Sequence, residues 1–322
     1  MKHRRVMIFV ENLYQELSLW YPFLRFQEER IEVRLVGTVD REVFTGKHGY
    51  PAHPEFIASS VNTRDYDGAI IPGGFAPDYL RRYPAVINLL RELFEQGKLI
   101  GAVGHAPWVL ASAEIVRGKR ITGSSSIRDD IVNAGAEYVE ERVITDGNLI
   151  TAQGPEDLPT FVREALSFLW KRKPRLNTPA PDGWIQDVNA NNGRLLDITA
   201  GRPSLVFFYD SIFSPRSVSA LPRLSELAQA ISSRGGVFMG VSADSFFTNA
   251  EYLSKHKLSF PLFSDVSREI TKAFGVMGKH ELPEWSVFLI DRNRILRYAE
   301  NCPSGDFNSL PGFKKQLDDV LS

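Results

Sequence analysis

Short apolar runs alternate with segments of helical hydrophobic period along the first half of the chain. Short apolar runs predict buried strands at 6–10, 31–36, 67–72 and 98–103. Helical spacing of apolar residues predicts amphipathic helices at 14–29, 85–96 and 155–171. A hairpin is predicted at 139–152, where Asp146-Gly147 supplies the turn. Strands that alternate with helices indicate a mostly parallel, doubly wound α/β sheet of the flavodoxin-like type.

The second half of the chain repeats the alternation after a Pro-rich, basic stretch at 171–183. Apolar runs predict strands at 204–209, 237–242, 285–291 and 295–300. Helices are predicted at 217–234, 249–256, 269–274 and 311–321, and a hairpin at 184–198 turns through Asn191-Asn192-Gly193. Prolines disfavour helix and stiffen a linker. We therefore predict two domains, at 1–172 and 184–322, joined by a linker at 173–183.

Composition narrows the classes of function. The 322 residues carry a formal net charge of −1, which argues against a nucleic-acid partner. Apolar runs are too short for a membrane span, and the basic start followed by a short apolar run predicts a first strand rather than a signal peptide. The single cysteine, Cys302, excludes an internal disulfide and fits a cytoplasmic location. The six histidines lack ligand spacing, so we predict no metal site and no cofactor.

The stretch GAVGHAPWVLASA at 101–113 predicts a strand that enters a helix through a tight turn. Such an elbow exposes one side chain above the sheet, close to unpaired amides and the positive end of a helix dipole. An anionic nucleophile is usually found there, most often a cysteine. Gly104 occupies that position, so the predicted elbow has no attacking atom.

The first half resembles the ThiJ/PfpI family of the class I glutamine amidotransferase-like fold, over about residues 4–172. The resemblance is carried by LWYP at 19–22, TGKHGY at 45–50, YDGAIIPGG at 66–74, HAPWVL at 105–110, SIRDD at 126–130 and NAGA at 133–136. It implies a glyoxalase- or deglycase-like enzyme, a peptidase or a stress-response protein. In that family a cysteine precedes the histidine, and a glutamate on the first helix supports it.

This chain keeps the family histidine as His105 and departs from that pattern at three other positions. The family cysteine falls on Gly104, the glutamate on Gln15 or Ser18, and an arginine near the last hairpin on Gln153. Glu16 is adjacent, but about 100° of rotation per helical residue aims it elsewhere. We expect a thiol-free site.

Four residues of the first site have more than one interpretation. His105 is either a general base that acts on water or a residue retained for packing. We favour packing, because a histidine without a nucleophile and an orienting carboxylate cannot form a catalytic triad. Gly73 and Gly74 either present backbone amides to an oxyanion or only form a tight turn. His48 is expected to be structural or to lie in an interface.

The second half resembles the AhpC/TSA peroxiredoxins, which have a thioredoxin-like fold, over about residues 176–320. The matching stretches are TPAPD at 178–182, LVFFY at 205–209, FSP at 213–215, GVSAD at 240–244, FPLFSD at 260–265 and VFLID at 287–291. The resemblance implies a peroxide site whose Pro, Thr or Ser, Cys and Arg correspond to Asp210, Ser214, Ser217 and Trp285. A serine cannot follow cysteine through sulfenic acid, so we expect Ser214 to act as a helix cap and Ser217 to be unreactive. Cys302 is expected to be an ordinary unpaired thiol rather than a redox sensor.

Three functional hypotheses follow from these residues. The first is a non-catalytic protein, linked to oxidative or carbonyl stress, that binds a small carbonyl or peroxide-like compound or a protein partner. The second is a thiol-independent hydrolase or glyoxalase/deglycase-like enzyme that uses His105, Glu16 and the Gly73/Gly74 backbone. The third is an oligomeric structural module, since members of the first family often assemble through the sheet edge and the region around 46–50.

Overall fold

A computed structural model describes residues 4–171 and 173–322 of the chain. The first three residues and Arg172, which fall on the predicted N-terminal segment and domain boundary, lie outside the described residues. The chain divides into two compact units, one ending at Leu169 and the other running from Trp170 to Ser322. Among the described residues, none of the helices combines the length and apolar character needed to cross a bilayer.

The first unit is built on a mostly parallel sheet. Its strands are β1 (Arg5–Val10), β2 (Glu32–Gly37), β3 (Phe44–Thr45), β4 (Pro51–Ala52), β5 (Phe56–Ile57), β6 (Gly68–Ile71), β7 (Leu99–Val103), β8 (Arg120–Ile121), β9 (Glu137–Tyr138), β10 (Val143–Asp146) and β11 (Leu149–Ala152). Seven of them form one sheet in the order β10-β11-β7-β6-β1-β2-β5, in which only the edge strand β10 runs antiparallel to its neighbour. Residues 6–10 of the central strand β1 are fully buried, as expected for a parallel strand covered on both faces.

Helices cover this sheet, and three of them begin at a capping residue or at a proline. They are α1 (Glu16–Glu28), α2 (Ala76–Leu80), α3 (Pro84–Glu95), α4 (Pro107–Ser112), α5 (Arg128–Asn133) and α6 (Leu158–Lys171). The Gln15 side chain caps α1 by accepting from the Ser18 amide, and Pro84 and Pro107 occupy first helical positions. Val86, Leu90 and Leu93 form the buried face of α3.

The second unit contains a mixed sheet. Its strands are β12 (Trp184–Gln186), β13 (Asn192–Arg194), β14 (Ser204–Phe208), β15 (Val237–Ser242), β16 (Leu262–Ser264), β17 (Ser286–Ile290) and β18 (Leu296–Asn301). Their order is β13-β12-β16-β15-β14-β17-β18, with β14 parallel to β15 and antiparallel to β17. The helices are α7 (Leu195–Ile198), α8 (Pro215–Ala220), α9 (Leu224–Ser233), α10 (Phe246–Lys255), α11 (Glu269–Ala273) and α12 (Phe313–Leu321).

Two elements of the second unit differ from the sequence prediction. The helix predicted at 217–234 is split into α8 and α9 by a short 3₁₀ turn around Pro222, which has no amide to donate. The hairpin at 184–198 turns at Asp187, whose carboxylate accepts from the amides of Asn189 and Asn191, while Asn192 and Gly193 belong to β13. Residues 195–198 of the same segment form α7.

The last part of the Pro-rich stretch lies along the start of the edge strand β18. The Asn177 amide donates to the Leu296 carbonyl at 2.8 Å, and the Leu296 amide donates to Thr178 at 2.9 Å. Pro179 and Ile295 form an antiparallel bridge between these two bonds and one from Ala180. Residues 177–180 are therefore anchored by backbone hydrogen bonds to the second unit.

Candidate functional site

The chain turns sharply at Gly104, directly after β7. Gly104 has φ +65°, its amide donates to the Ala152 carbonyl, and its carbonyl accepts from the Ser124 amide, both at 2.9 Å. A Cβ built on Gly104 would have its nearest neighbours, the Gln153 oxygen and the Gly73 Cα, at 3.8 Å. The backbone is thus held in a left-handed conformation typical of a nucleophile elbow, with open space where a side chain would project.

A cavity of about 230 Å³ opens at this turn, and we call it the Gly104 pocket. It is lined by Gln15, Ser18, Lys47, Gly73, Gly74, Phe75, Val103, Gly104, His105, Ser124, Gln153, Gly154 and Pro155. Seven of the residues singled out from sequence therefore meet there: Gln15, Ser18, Gly73, Gly74, Gly104, His105 and Gln153. Glu16 does not line the pocket, because its carboxylate accepts a hydrogen bond from the His48 amide.

The residues at the two positions that correspond to the supporting glutamate make hydrogen bonds to the local backbone. Gln15 Oε1 accepts from the Ser18 amide at 2.8 Å, and Ser18 Oγ donates to the Gln15 carbonyl at 2.8 Å. Ser18 Oγ also accepts from the Gly73 amide at 3.0 Å. The Gly73 amide is therefore occupied and cannot serve an oxyanion unless Ser18 moves.

Two other residues that line the pocket have backbone amides without a hydrogen-bond acceptor in the described part of the chain. These residues are Gly74 and His105. Gly74 has φ +87°, and a Cβ there would lie 2.4 Å from the Leu13 carbonyl, so the turn requires glycine. An amide immediately after the elbow residue and a second one nearby are the usual donors to a developing oxyanion.

His105 is held by a chain of two serine hydroxyls. Its Nε2 lies 3.0 Å from Ser126 Oγ, which lies 2.8 Å from Ser124 Oγ. Burial, and to a smaller extent the positive charge of Lys47, lower the pKa of His105 below its ordinary value. The imidazole is therefore neutral at pH 7, and no described carboxylate is hydrogen-bonded to it.

Ser124 was not singled out from the sequence, and Ser126 and Lys47 were included only as members of the stretches at 126–130 and 45–50. The run of three serines at 124–126 follows the predicted elbow by twenty residues, and nothing local signals that it returns to His105. Lys47 lies within the recognised stretch at 45–50, and its amide donates to the Tyr14 carbonyl at 2.8 Å. Ser124 and Lys47 line the pocket only because of tertiary contacts, and Ser126 is connected to it through His105.

The position that corresponds to the peroxidatic cysteine in the second unit is buried and inaccessible to solvent. Ser217 is fully buried at the start of α8, and its hydroxyl donates to Asp210 Oδ1 at 3.1 Å. Ser214 Oγ caps the helix by accepting from the Ser217 amide at 3.1 Å and donates to the same carboxylate oxygen at 2.8 Å. Trp285 Nε1 donates to it as well, at 3.0 Å.

Asp210 is the centre of this second cluster. Burial alone would raise its pKa, but hydrogen bonds from the Ser211 amide, Ser214, Trp285 and Ser217 together hold the pKa of Asp210 below its ordinary value. The family's catalytic positions thus form a satisfied polar network that fixes the first turn of α8. Such a network stabilises the local fold. The described residue at the cysteine position, Ser217, is buried and does not present a nucleophile to solvent.

The remaining candidates offer little chemistry. Cys302 is fully buried, its sulfur lies 3.8 Å from Ser304 Oγ, and burial raises the pKa of its thiol. A larger open cavity of about 500 Å³ near β10 is lined mainly by charged side chains, and Arg142 is ion-paired there to the buried Asp157 at 2.7 Å. Among the described residues, no group of three His, Cys, Asp or Glu side chains is arranged to hold a metal ion.

Comparison with known proteins agrees with both halves of this description. The model of the DJ-1/PfpI family matches residues 4–167, and that of the AhpC/TSA family matches residues 176–299. An uncharacterised protein of Archaeoglobus fulgidus is 40% identical over 165 residues, 51% of this chain and 98% of its own length. A deglycase of Pyrococcus abyssi is 36% identical over 165 residues, 51% of this chain and 99% of its own.

One solved structure contains a domain similar to this first domain, joined to a different second domain. A two-domain protein of Anabaena variabilis, with DJ-1/ThiJ/PfpI-like and ferritin-like domains, is 36% identical with a TM-score of 0.51. The match covers 52% of this chain and 48% of that one, so it concerns the first domain. Through residues 4–167 the chain belongs to the DJ-1/PfpI family, and it is a fusion in which an AhpC/TSA-family region follows at 176–299.

Proposed function

We propose that the first unit binds a small carbonyl compound in the Gly104 pocket, without thiol chemistry. The observation that carries this proposal is the Gly104 turn itself: the elbow backbone is kept while the reactive side chain is absent and its space is open. The free amides of Gly74 and His105 suit a carbonyl oxygen. The names of two relatives, both called deglycases, support a carbonyl compound as the chemical class.

The second unit enters this proposal as a non-reactive partner in the same chain. Its peroxide-site positions are hydrogen-bonded to each other, and Ser217 is buried. Oxygen cannot replace sulfur in the sulfenic acid cycle. We therefore expect no peroxide consumption above the buffer blank with thioredoxin or glutathione as reductant, in wild type and in Cys302→Ser alike.

Binding is tested by NMR titration of the ¹⁵N-labelled full chain with glyoxylate and, in parallel, methylglyoxal. We expect saturable shifts of the Gly74 and His105 amides. Gly104→Leu should abolish them by filling the pocket. Gly118→Leu is the matched control, because Gly118 has a similar φ of +70° but open space around it, so both variants share the backbone strain.

Equal amide shifts in Gly104→Leu and Gly118→Leu would place the compound outside the pocket and overturn the proposal. If no carbonyl compound shifts these amides at all, the third hypothesis, an oligomeric structural module, takes its place. Sedimentation of the wild-type chain would then be the informative measurement.

A second candidate function, thiol-independent hydrolysis or deglycation, is favoured by one observation. The neutral imidazole of His105 is available as a base for water beside the two free amides. Turnover of a glycated amine that survives Cys302→Ser and is lost in His105→Gln would support it. Without such turnover, the pocket is a binding site only.

A further inference from the structure

We propose that Ser124 is a nucleophile that adds reversibly to the carbonyl carbon of an aldehyde or 1,2-dicarbonyl compound in the Gly104 pocket, and that Ser126 carries its proton to His105. The proposal rests on the proposed function, since a carbonyl compound must first occupy the pocket. It replaces the missing thiol with a hydroxyl from a different loop.

Ser124 lines the same pocket as the vacant side-chain position. Its amide donates to the Gly104 carbonyl at 2.9 Å. No atom of residue 104 itself extends past Cα, and the nearest neighbours of a Cβ there would be 3.8 Å away. The Ser124 side chain and the open space of the elbow therefore share one cavity.

The Ser124 hydroxyl is not used for the structural role that its position would favour. Ser124 precedes a 3₁₀ turn at Ser125–Ile127, where a serine side chain commonly accepts from a backbone amide. No such capping bond is made here. Its Oγ instead lies 2.8 Å from Ser126 Oγ, which in turn lies 3.0 Å from His105 Nε2.

One tautomer of the neutral imidazole directs this chain of hydrogen bonds toward the ring, and the proposed step uses that tautomer. With the ring proton on Nδ1, Nε2 accepts from Ser126, and Ser126 accepts from Ser124. Both hydroxyl protons then point toward the base. The Ser124 oxygen keeps its lone pairs for a carbon electrophile, which is the arrangement that nucleophilic catalysis by serine requires.

The addition balances without any further reactant. Ser124 Oγ forms a bond to the carbonyl carbon, and the π pair moves to the carbonyl oxygen, which accepts from the free amides of Gly74 and His105. The Ser124 proton passes to Ser126 while the Ser126 proton passes to His105 Nε2. The imidazolium then returns a proton to the new alkoxide, which gives a neutral hemiacetal, and the reverse steps release the compound.

The charges around His105 favour this addition over full acyl transfer. An acyl-transfer cycle needs the imidazolium to persist until a leaving group is protonated, and a carboxylate on the other ring nitrogen usually stabilises it. Here no described carboxylate is bonded to the ring, and Lys47 disfavours its positive charge. A step that begins and ends neutral fits these surroundings, so aldehydes are preferred to esters and amides.

The nucleophile is tested with a fluorophosphonate, a phosphorus electrophile that reacts with activated serine hydroxyls, on the full chain. Peptide mass analysis should place the label on Ser124. We expect Ser126→Ala and His105→Gln each to slow labelling by roughly 100-fold, the scale of general-base assistance. Ser125→Ala is the matched control, because Ser125 is exposed in the same run and should leave the rate unchanged.

The adduct is tested by ¹³C NMR with ¹³C-labelled glyoxylate. A protein-bound tetrahedral carbon is expected in wild type and absent in Ser124→Ala. If Ser124→Ala still shows the glyoxylate-dependent amide shifts, the binding proposal stands separately from this one. Label on Ser126 instead of Ser124, no labelled serine, or a wild-type labelling rate in Ser126→Ala would overturn the inference.

Discussion

Restoring a thiol at residue 104 measures how much of the elbow survives. We expect Gly104→Cys, in a Cys302→Ser background, to fold with a loss of about 1–2 kcal/mol, since a side chain at φ +65° is strained. Its thiol should titrate below the free-cysteine pKa of ~8.5, because the free His105 amide and Lys47 favour the thiolate. Iodoacetamide alkylation against pH measures the apparent pKa.

The lost carboxylate can be restored in two ways that the structure distinguishes. Gln15→Glu keeps an oxygen that can accept from the Ser18 amide, so the cap of α1 is preserved. Ser18→Glu removes the hydroxyl that accepts from Gly73, in a fully buried position. We expect Gln15→Glu to change the apparent pKa of the Gly104→Cys thiol more than Ser18→Glu does. We expect Ser18→Glu to destabilise the fold. A thiol that titrates like free cysteine in every variant would mean that the elbow has lost its electrostatic character.

The hydrogen bonds to Asp210 lead to a prediction about the free energy of unfolding. Trp285→Phe removes one donor to a charged acceptor and should lower the free energy of unfolding by roughly 1.5–3 kcal/mol in urea at pH 7. The exposed Trp184→Phe is the control. Because the pKa of Asp210 is depressed in the fold, this contribution is present above the unfolded pKa of ~3.9 and is lost as pH falls through the lower folded value. Additivity of Trp285→Phe with Asp210→Ala would contradict the bond.

Individual site residues were predictable where a family motif carried them. Gln15, Ser18, Gly74 and His105 line one pocket with Gly104, as motifs in chain order suggest. The hydrogen bond between Ser126 and His105 joins residues 21 positions apart, and local periodicity carries no information on such a contact. The occupation of the Gly73 amide by Ser18 was likewise not readable from the sequence.

At the scale of the element, hydrophobic period located the long strands well. Predicted runs at 6–10, 98–103 and 237–242 correspond to β1, β7 and β15 within one residue at each end. The two-residue strands β3, β4, β5, β8 and β9 were missed, because such short strands have no period to detect. Helices were least accurate where a proline broke a continuous apolar pattern, as Pro222 does between α8 and α9.

At the scale of the molecule, the two units are expected to fold independently. Each has its own sheet and its own buried clusters, and Arg175 between them is exposed. Limited trypsin digestion should therefore cut first between Lys171 and Leu176, ahead of the anchored residues 177–180. Two stable fragments should result, each with a cooperative thermal transition. Aggregation of both isolated fragments would show that neither unit is autonomous.

The pairing of residues 177–180 with β18 also determines how the second unit resists self-association. β18 is the last strand of its sheet, so its outer row of N–H and C=O groups could template a strand from another molecule. Three backbone hydrogen bonds and Pro179 cover the beginning of that row. A fragment that starts at residue 184 would uncover this edge and invite intermolecular strand addition, whereas one that starts at residue 174 would carry its own protective strip.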